Sequence, residues 1–103
     1  RPDMLNNDEL EAAAKVMHAL AHPLRLAIMQ TLSEGRRNVT ELYEALGCSQ
    51  SMMSQQLRIL ETQGLIKTHK EGTTKYCEIR NADFLNLFHC MENHLQRFFK
   101  ITG

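Results

Sequence analysis

His22-Pro23, Gly35, Gly47, Gly64 and Gly72 interrupt this 103-residue chain at short intervals, and each interval has room for one helix or one strand. The first helix signal is Asn6-Asn7-Asp8-Glu9, where Asn6 as N-cap and Glu9 three residues on form a capping box. Leu10, Ala13, Ala14, Met17 and Leu20 follow at helical spacing. Pro23 suits the first position of a second helix, with Leu24, Ala27, Ile28 and Leu32 as its apolar face and Gly35 as its end. Arg36 and Arg37 read as a connector. Val39 to Leu46 is a brief third helix, with Thr40 as N-cap and Gly47 as stop. Ser49 caps a fourth helix, which runs to Gln63 and ends at Gly64. From Leu65 the composition changes, and Leu65 to Ile79 predicts a two-stranded hairpin with Gly72 in its turn. Asn81 caps a last helix with apolar residues at Phe84, Leu87, Phe88, Met91, Leu95, Phe98 and Phe99.

The order is therefore α-α-α-α-β-β-α, a mainly α (α+β) class. Two short helices joined by a tight glycine turn are the signature of a helix-turn-helix, and a following hairpin makes it winged. A plain helical bundle is the alternative, and the chemistry of the fourth helix separates the two. The length suits one domain over residues 1–103. Met4 reads as the native start, with Arg1, Pro2 and Asp3 as a cloning remnant. No apolar run approaches a membrane span and no signal-peptide pattern opens the chain, so a cytoplasmic protein without a membrane partner is expected.

Net formal charge is zero, so bulk electrostatics do not announce a nucleic-acid partner. The distribution says more. Arg36, Arg37, Arg58, Lys67, Lys70, Lys75 and Arg80 make the middle of the chain mildly basic, while Asp3, Asp8, Glu9, Glu11 and Glu34 make its start mildly acidic. Cys48, Cys77 and Cys90 are odd in number and widely spaced, which excludes a disulfide framework and a structural zinc motif. Three free thiols are expected, two of them buried.

At about 100° per residue, Met53, Leu57 and Leu60 cluster on one side of the fourth helix, and Ser51, Ser54, Gln55 and Arg58 on the other. A helix entering the major groove needs compact polar residues near its N-terminus and a guanidinium a turn further on. Gln55 suits an adenine edge, and Arg58 a guanine edge or a phosphate. Gln50, Ser51, Met52 and Ser54 complete the expected contact face. Lys70, Thr73, Thr74 and Lys75 crowd the hairpin tip, where a wing holds phosphates or reaches the minor groove. The competing readings are a solvated helix face and a lysine-protected hairpin edge. The last helix carries apolar residues over an arc too wide for one small domain to cover, which predicts a homodimer. Leu10, Met17, Phe84, Leu87, Phe88, Met91, Leu95 and Phe98 are the expected interface.

No phosphate loop, nucleophile elbow or paired acid cluster is present, so no enzyme is expected. The second functional class is a winged helix that binds a protein, which the zero net charge supports. Ala19-Leu20-Ala21-His22-Pro23-Leu24-Arg25-Leu26-Ala27-Ile28, Val39-Thr40-Glu41-Leu42, the run from Ser49 to Leu60, Gly64-Leu65-Ile66 and Glu71 to Tyr76 resemble the ArsR/SmtB family of winged-helix repressors. The resemblance covers nearly the whole chain from residue 10. It implies a homodimer whose first and last helices pair across the two-fold axis. It also implies repression at an imperfect palindromic operator, relieved or imposed by an inducer.

The inducer class stays open between a metal, a thiol oxidant and an organic ligand. The resemblance implies a CxC motif in the third helix of arsenite-type sensors, and none is present. For zinc sensors it implies ligand positions that fall here on Asn81, Asp83, His94 and Arg97, two of which are unsuitable. Asp83, Cys90 and His94 lie within about 20° of one line down the last helix, so Cys90 and His94 form a candidate pair for a soft metal ion completed by the other protomer. The competing reading is a polar stripe at a dimer interface. Cys48, just before the fourth helix, and Cys90 are candidate redox thiols. For Cys48 the alternative is a small apolar residue packed in the turn.

Overall fold

The computed structural model describes residues 3–98. Phe99 lies outside the described residues, and so does the side chain of Phe98. The elements are α1 (Asn7–Leu20), α2 (Pro23–Leu32), β1 (Arg37–Asn38), α3 (Val39–Leu46), α4 (Gln50–Thr62), β2 (Ile66–Glu71), β3 (Thr74–Ile79) and α5 (Asp83–Phe98). This is the winged helix-turn-helix architecture that the order of elements predicts, with one addition. Arg37 is not connector: Arg37 and Asn38 pair with Cys77 and Tyr76 and add an antiparallel strand, giving sheet order β1-β3-β2. A two-residue strand is too short to show a period of two, so no alternation marks it.

The caps follow local chemistry. The Asn6 side chain accepts from the Glu9 N–H at 2.8 Å and Glu9 reaches back to the Asn6 N–H at 3.0 Å. The same capping box recurs at α3, where it corrects the expected N-cap. Asn38, not Thr40, accepts from the Glu41 N–H at 2.8 Å, and Glu41 answers at 3.0 Å. Asn38 wins because its extended backbone belongs to β1, so the helix begins two residues earlier than Thr40 would allow. Gly47 closes α3 at φ 67, a left-handed conformation that glycine adopts without a Cβ clash. The Asn81 side chain accepts from the Asp83 N–H at 2.9 Å and starts α5 as expected.

Helices α2, α3 and α4 and the sheet supply most of one core, which Leu20 at the end of α1 also joins. Ile28, Met29 and Leu32 of α2, Leu42 of α3, Met53, Leu57 and Leu60 of α4, Ile66 of β2 and Cys77 of β3 are buried together. Each fully buried aliphatic side chain stabilises the fold by about 1.5–3 kcal/mol. Phe84 belongs to this core as well, at 8% exposure, and Phe88 packs against it half-buried. That corrects the assignment of Phe84 to the dimer interface. The first turn of α5 faces its own chain because α5 leaves the sheet directly after β3. Leu10 and Met17 of α1 and Leu87, Met91 and Leu95 of α5 stay exposed.

The capping geometry sets an expected outcome. Asn38→Ala should lower unfolding free energy by about 1 kcal/mol in urea denaturation, while Thr40→Ala should stay within about 0.5 kcal/mol of wild type. Equal effects would contradict the cap.

Candidate nucleic-acid interface

Helix α4 is gripped along one side and open along the other. Met53, Gln56, Leu57 and Leu60 are buried, while Gln50, Ser51, Met52, Ser54, Gln55 and Arg58 are exposed. Ser49 caps the helix by accepting from the Met52 N–H at 3.0 Å, and the first turn holds no acidic residue. The positive end of the helix is therefore left uncompensated beside Ser51 and Gln55. Gln50, Ser51, Ser54, Gln55 and Arg58 line one shallow concavity of about 840 Å³ along the outer face.

The hairpin sits beside this face. In its register Lys70 opposes Lys75 and Glu71 opposes Thr74 across the Gly72-Thr73 turn. Strand alternation puts Lys70 and Lys75 on the face shared with Ile66, Thr68, Cys77 and Ile79. Two like charges directly opposite each other destabilise a hairpin, so an anion is the natural complement of this pair. Thr73, Thr74 and Lys75 share a cleft of about 240 Å³ with Thr40, Gln50 and Ser54, which makes the wing tip and the start of α4 one continuous surface.

The other wing charges are consumed locally. Both terminal nitrogens of Arg36 meet the Glu71 carboxylate at 3.2 Å, and the guanidinium lies 4.2 Å above the Tyr76 ring. The hydrogen bond from Arg36 holds the Glu71 carboxyl below its ordinary range and raises Arg36 in return. His69 stacks on Tyr76 and meets Arg36 at 3.3 Å. Lys67 pairs with Glu78 at 3.3 Å, on the outer face, and so does not join the tip. Among the described residues, no carboxylate forms an ion pair with Arg58, Lys70 or Lys75. Zero net charge thus conceals cations left without a carboxylate partner on this surface.

The sequence profile of the family described as bacterial regulatory protein, arsR family, matches residues 22–68. The transcriptional repressor SmtB homolog of Synechocystis is 33% identical over 96 residues, spanning 93% of this chain and 73% of that protein. The chain belongs to the arsR family. The HTH-type transcriptional repressor SmtB of Mycobacterium tuberculosis is 41% identical over 63 residues, but the match spans 61% of this chain and 47% of that protein, about half its length. Among solved structures, a homodimeric winged helix-turn-helix DNA-binding domain from Mycobacterium bovis, a possible ArsR-family transcriptional regulator, superposes with a TM-score of 0.79. It is 30% identical and covers 91% of this chain and 94% of that one.

In this arsR-family chain the candidate sensing residues are brought together only in part. Cys90 and His94 line a groove of about 510 Å³ on α5 with Asn86, His89, Asn93 and Arg97, but Asp83 lies outside it. Seven helical residues separate Asp83 from Cys90 by about 10 Å along the axis. Among the described residues no three of His, Cys, Asp or Glu converge on a metal-sized site. One thiol is buried, not two: Cys77 is inside, Cys48 is half-buried against the core and Cys90 is exposed. Gln56 was legible as an inward residue, since it stands three from Met53 and four from Leu60, but its polarity masked it. No helix among the described residues is long and apolar enough to cross a membrane.

Burial pushes the Cys77 thiol from its ordinary 9.0 up to about 11. The folded state therefore favours the neutral thiol. Its contribution is full below pH 9.0 and lost as pH rises towards about 11. Unfolding free energy should fall across that window, and Cys77→Ala should remove this part of the slope. Iodoacetamide at pH 8 should spare Cys77 in the native protein and modify it in urea.

Proposed function

We infer that this chain is a transcriptional regulator that binds double-stranded DNA as a homodimer, with α4 in the major groove and the wing against the flanking backbone. The observation that carries this is the acid-free outer face of α4 running into the Lys70–Lys75 pair. Gln55 and Arg58 read base edges, with Gln50, Ser51, Met52 and Ser54 packing against the groove. Lys70, Thr73, Thr74 and Lys75 hold phosphates and position the helix without reading sequence. The described part of the chain acts as one DNA-binding unit in the cytoplasm, with no catalytic role.

Two copies pair through α1 and α5. Leu10, Met17, Leu87, Met91 and Leu95 form the exposed apolar surface of those helices, and Phe98 continues the spacing. A two-fold dimer reads two half-sites about 34 Å apart, so the operator is an imperfect palindrome and occupancy represses transcription. Zinc at the last helix is not part of this reading. The Asn81 side chain is occupied as the cap of α5, and Arg97 brings a cation to another of the four positions.

Binding to a duplex enriched from a random pool, and to unselected duplex, tests the assignment. Gln55→Ala should cost about 1–3 kcal/mol on the enriched duplex and little on unselected DNA. Lys70→Ala and Lys75→Ala should weaken both alike and each reduce the slope of log affinity against log salt by about 1. Binding that ignores salt would point to a protein partner. In sedimentation, Met91→Glu and Leu87→Glu should yield folded monomers, since a buried unpaired carboxylate is not tolerated across an apolar interface. Stable dimers from both would refute the α5 interface.

A further inference from the structure

Gln56 is the buried polar side chain of the described residues, and each of its two polar atoms has a partner. Its carbonyl oxygen accepts from Arg25 Nη1 at 2.7 Å, and its amide nitrogen contacts Met52 Sδ at 3.3 Å. The same guanidinium donates from Nε to the Ala19 carbonyl and from Nη2 to the His18 carbonyl at 3.5 Å. Those carbonyls belong to the last turn of α1, whose negative end favours a cation, although the His18 carbonyl also accepts from the Ala21 N–H at 3.2 Å. One side chain of α2 therefore bridges the end of α1 to the middle of α4.

We propose that Arg25 and Gln56 are positioning residues for DNA recognition, fixing the rotation of α4 relative to α1. The inference rests on the DNA-binding reading above. Gln56 sits directly after Gln55 and two residues before Arg58, so any turn of α4 about its axis that re-aims those two side chains also breaks the Arg25–Gln56 bond. Helix α1 contributes to the dimer, so this bond sets how each reading helix stands to the two-fold axis. Half-site spacing depends on that relation. A planar guanidinium suits the task because its fork reaches both partners at once, which a lysine ammonium does not.

The test compares Gln56→Leu, Arg25→Lys, their combination and Gln56→Glu with wild type on the enriched and unselected duplexes, with melting temperature and dimer mass measured for each. Gln56→Leu and Arg25→Lys should each weaken the enriched duplex by about tenfold and unselected DNA by less than about threefold. The double variant should be no worse than either single one, because both break one linkage. Gln56→Glu keeps an oxygen acceptor for Arg25 and should retain the preference. Equal losses on both duplexes, additive losses, or a Gln56→Glu no better than Gln56→Leu would overturn the proposal. If Gln56→Leu does not fold, Arg25→Lys, which keeps the cation and its stem, decides alone. Gln55→Ala run alongside separates the two levels. A preference lost in Gln55→Ala but intact in the Arg25 and Gln56 variants refutes only the linkage, and a preference intact in Gln55→Ala refutes the reading face itself.

Discussion

Helix α4 is held by a single stripe. Met53, Leu57 and Leu60 lie in one buried cluster with Ile28, Met29, Leu42 and Ile66, and almost every functional feature follows from that one-sided grip. A helix anchored along one face must leave the opposite face to solvent or to a ligand. Here that face carries Ser51, Ser54, Gln55 and Arg58. The sheet is tied to the same helix through Thr68, whose hydroxyl donates to Glu61 at 2.6 Å, so the wing takes its position from the end of α4. Helix α4 and the two strands, with Thr73 in the turn between them, thus carry the proposed contact residues.

Electrostatics on this surface is a matter of which charges remain after local pairing. Arg36 is used by Glu71 and Tyr76, and Lys67 by Glu78. The lysines at the tip oppose each other instead of meeting acids. Surface ion pairs contribute little to stability, but they decide where a net field survives. A chain of zero formal charge can therefore present a positive edge.

The first and last helices divide their apolar residues between two tasks. Phe84 and part of Phe88 close the core of their own chain, and Leu87, Met91 and Leu95 face outward with Leu10 and Met17. A continuous apolar spacing along α5 hides that division, because the period of a helix does not say which neighbour covers each turn.

The sequence by itself determined the helices, the hairpin and the polarity of α4. Breakers, caps and 3.6-residue spacing act within a few residues of each other, and local chemistry such as Asn6 with Glu9 or Ser49 with Met52 suffices to read them. Only the tertiary structure decided the rest. Strand β1 exists because β3 offers it partners forty residues away, and Asn38 displaces Thr40 as a cap for the same reason. Cys77 is buried and Cys90 is not because one lies on the inner face of the sheet and the other on an open side of α5. Gln56, which the spacing of α4 already turns inward, finds a polar partner there only because Arg25, thirty-one residues earlier, arrives to bond it. Each depends on a contact between distant segments, and no periodicity in a linear chain records which distant segment arrives.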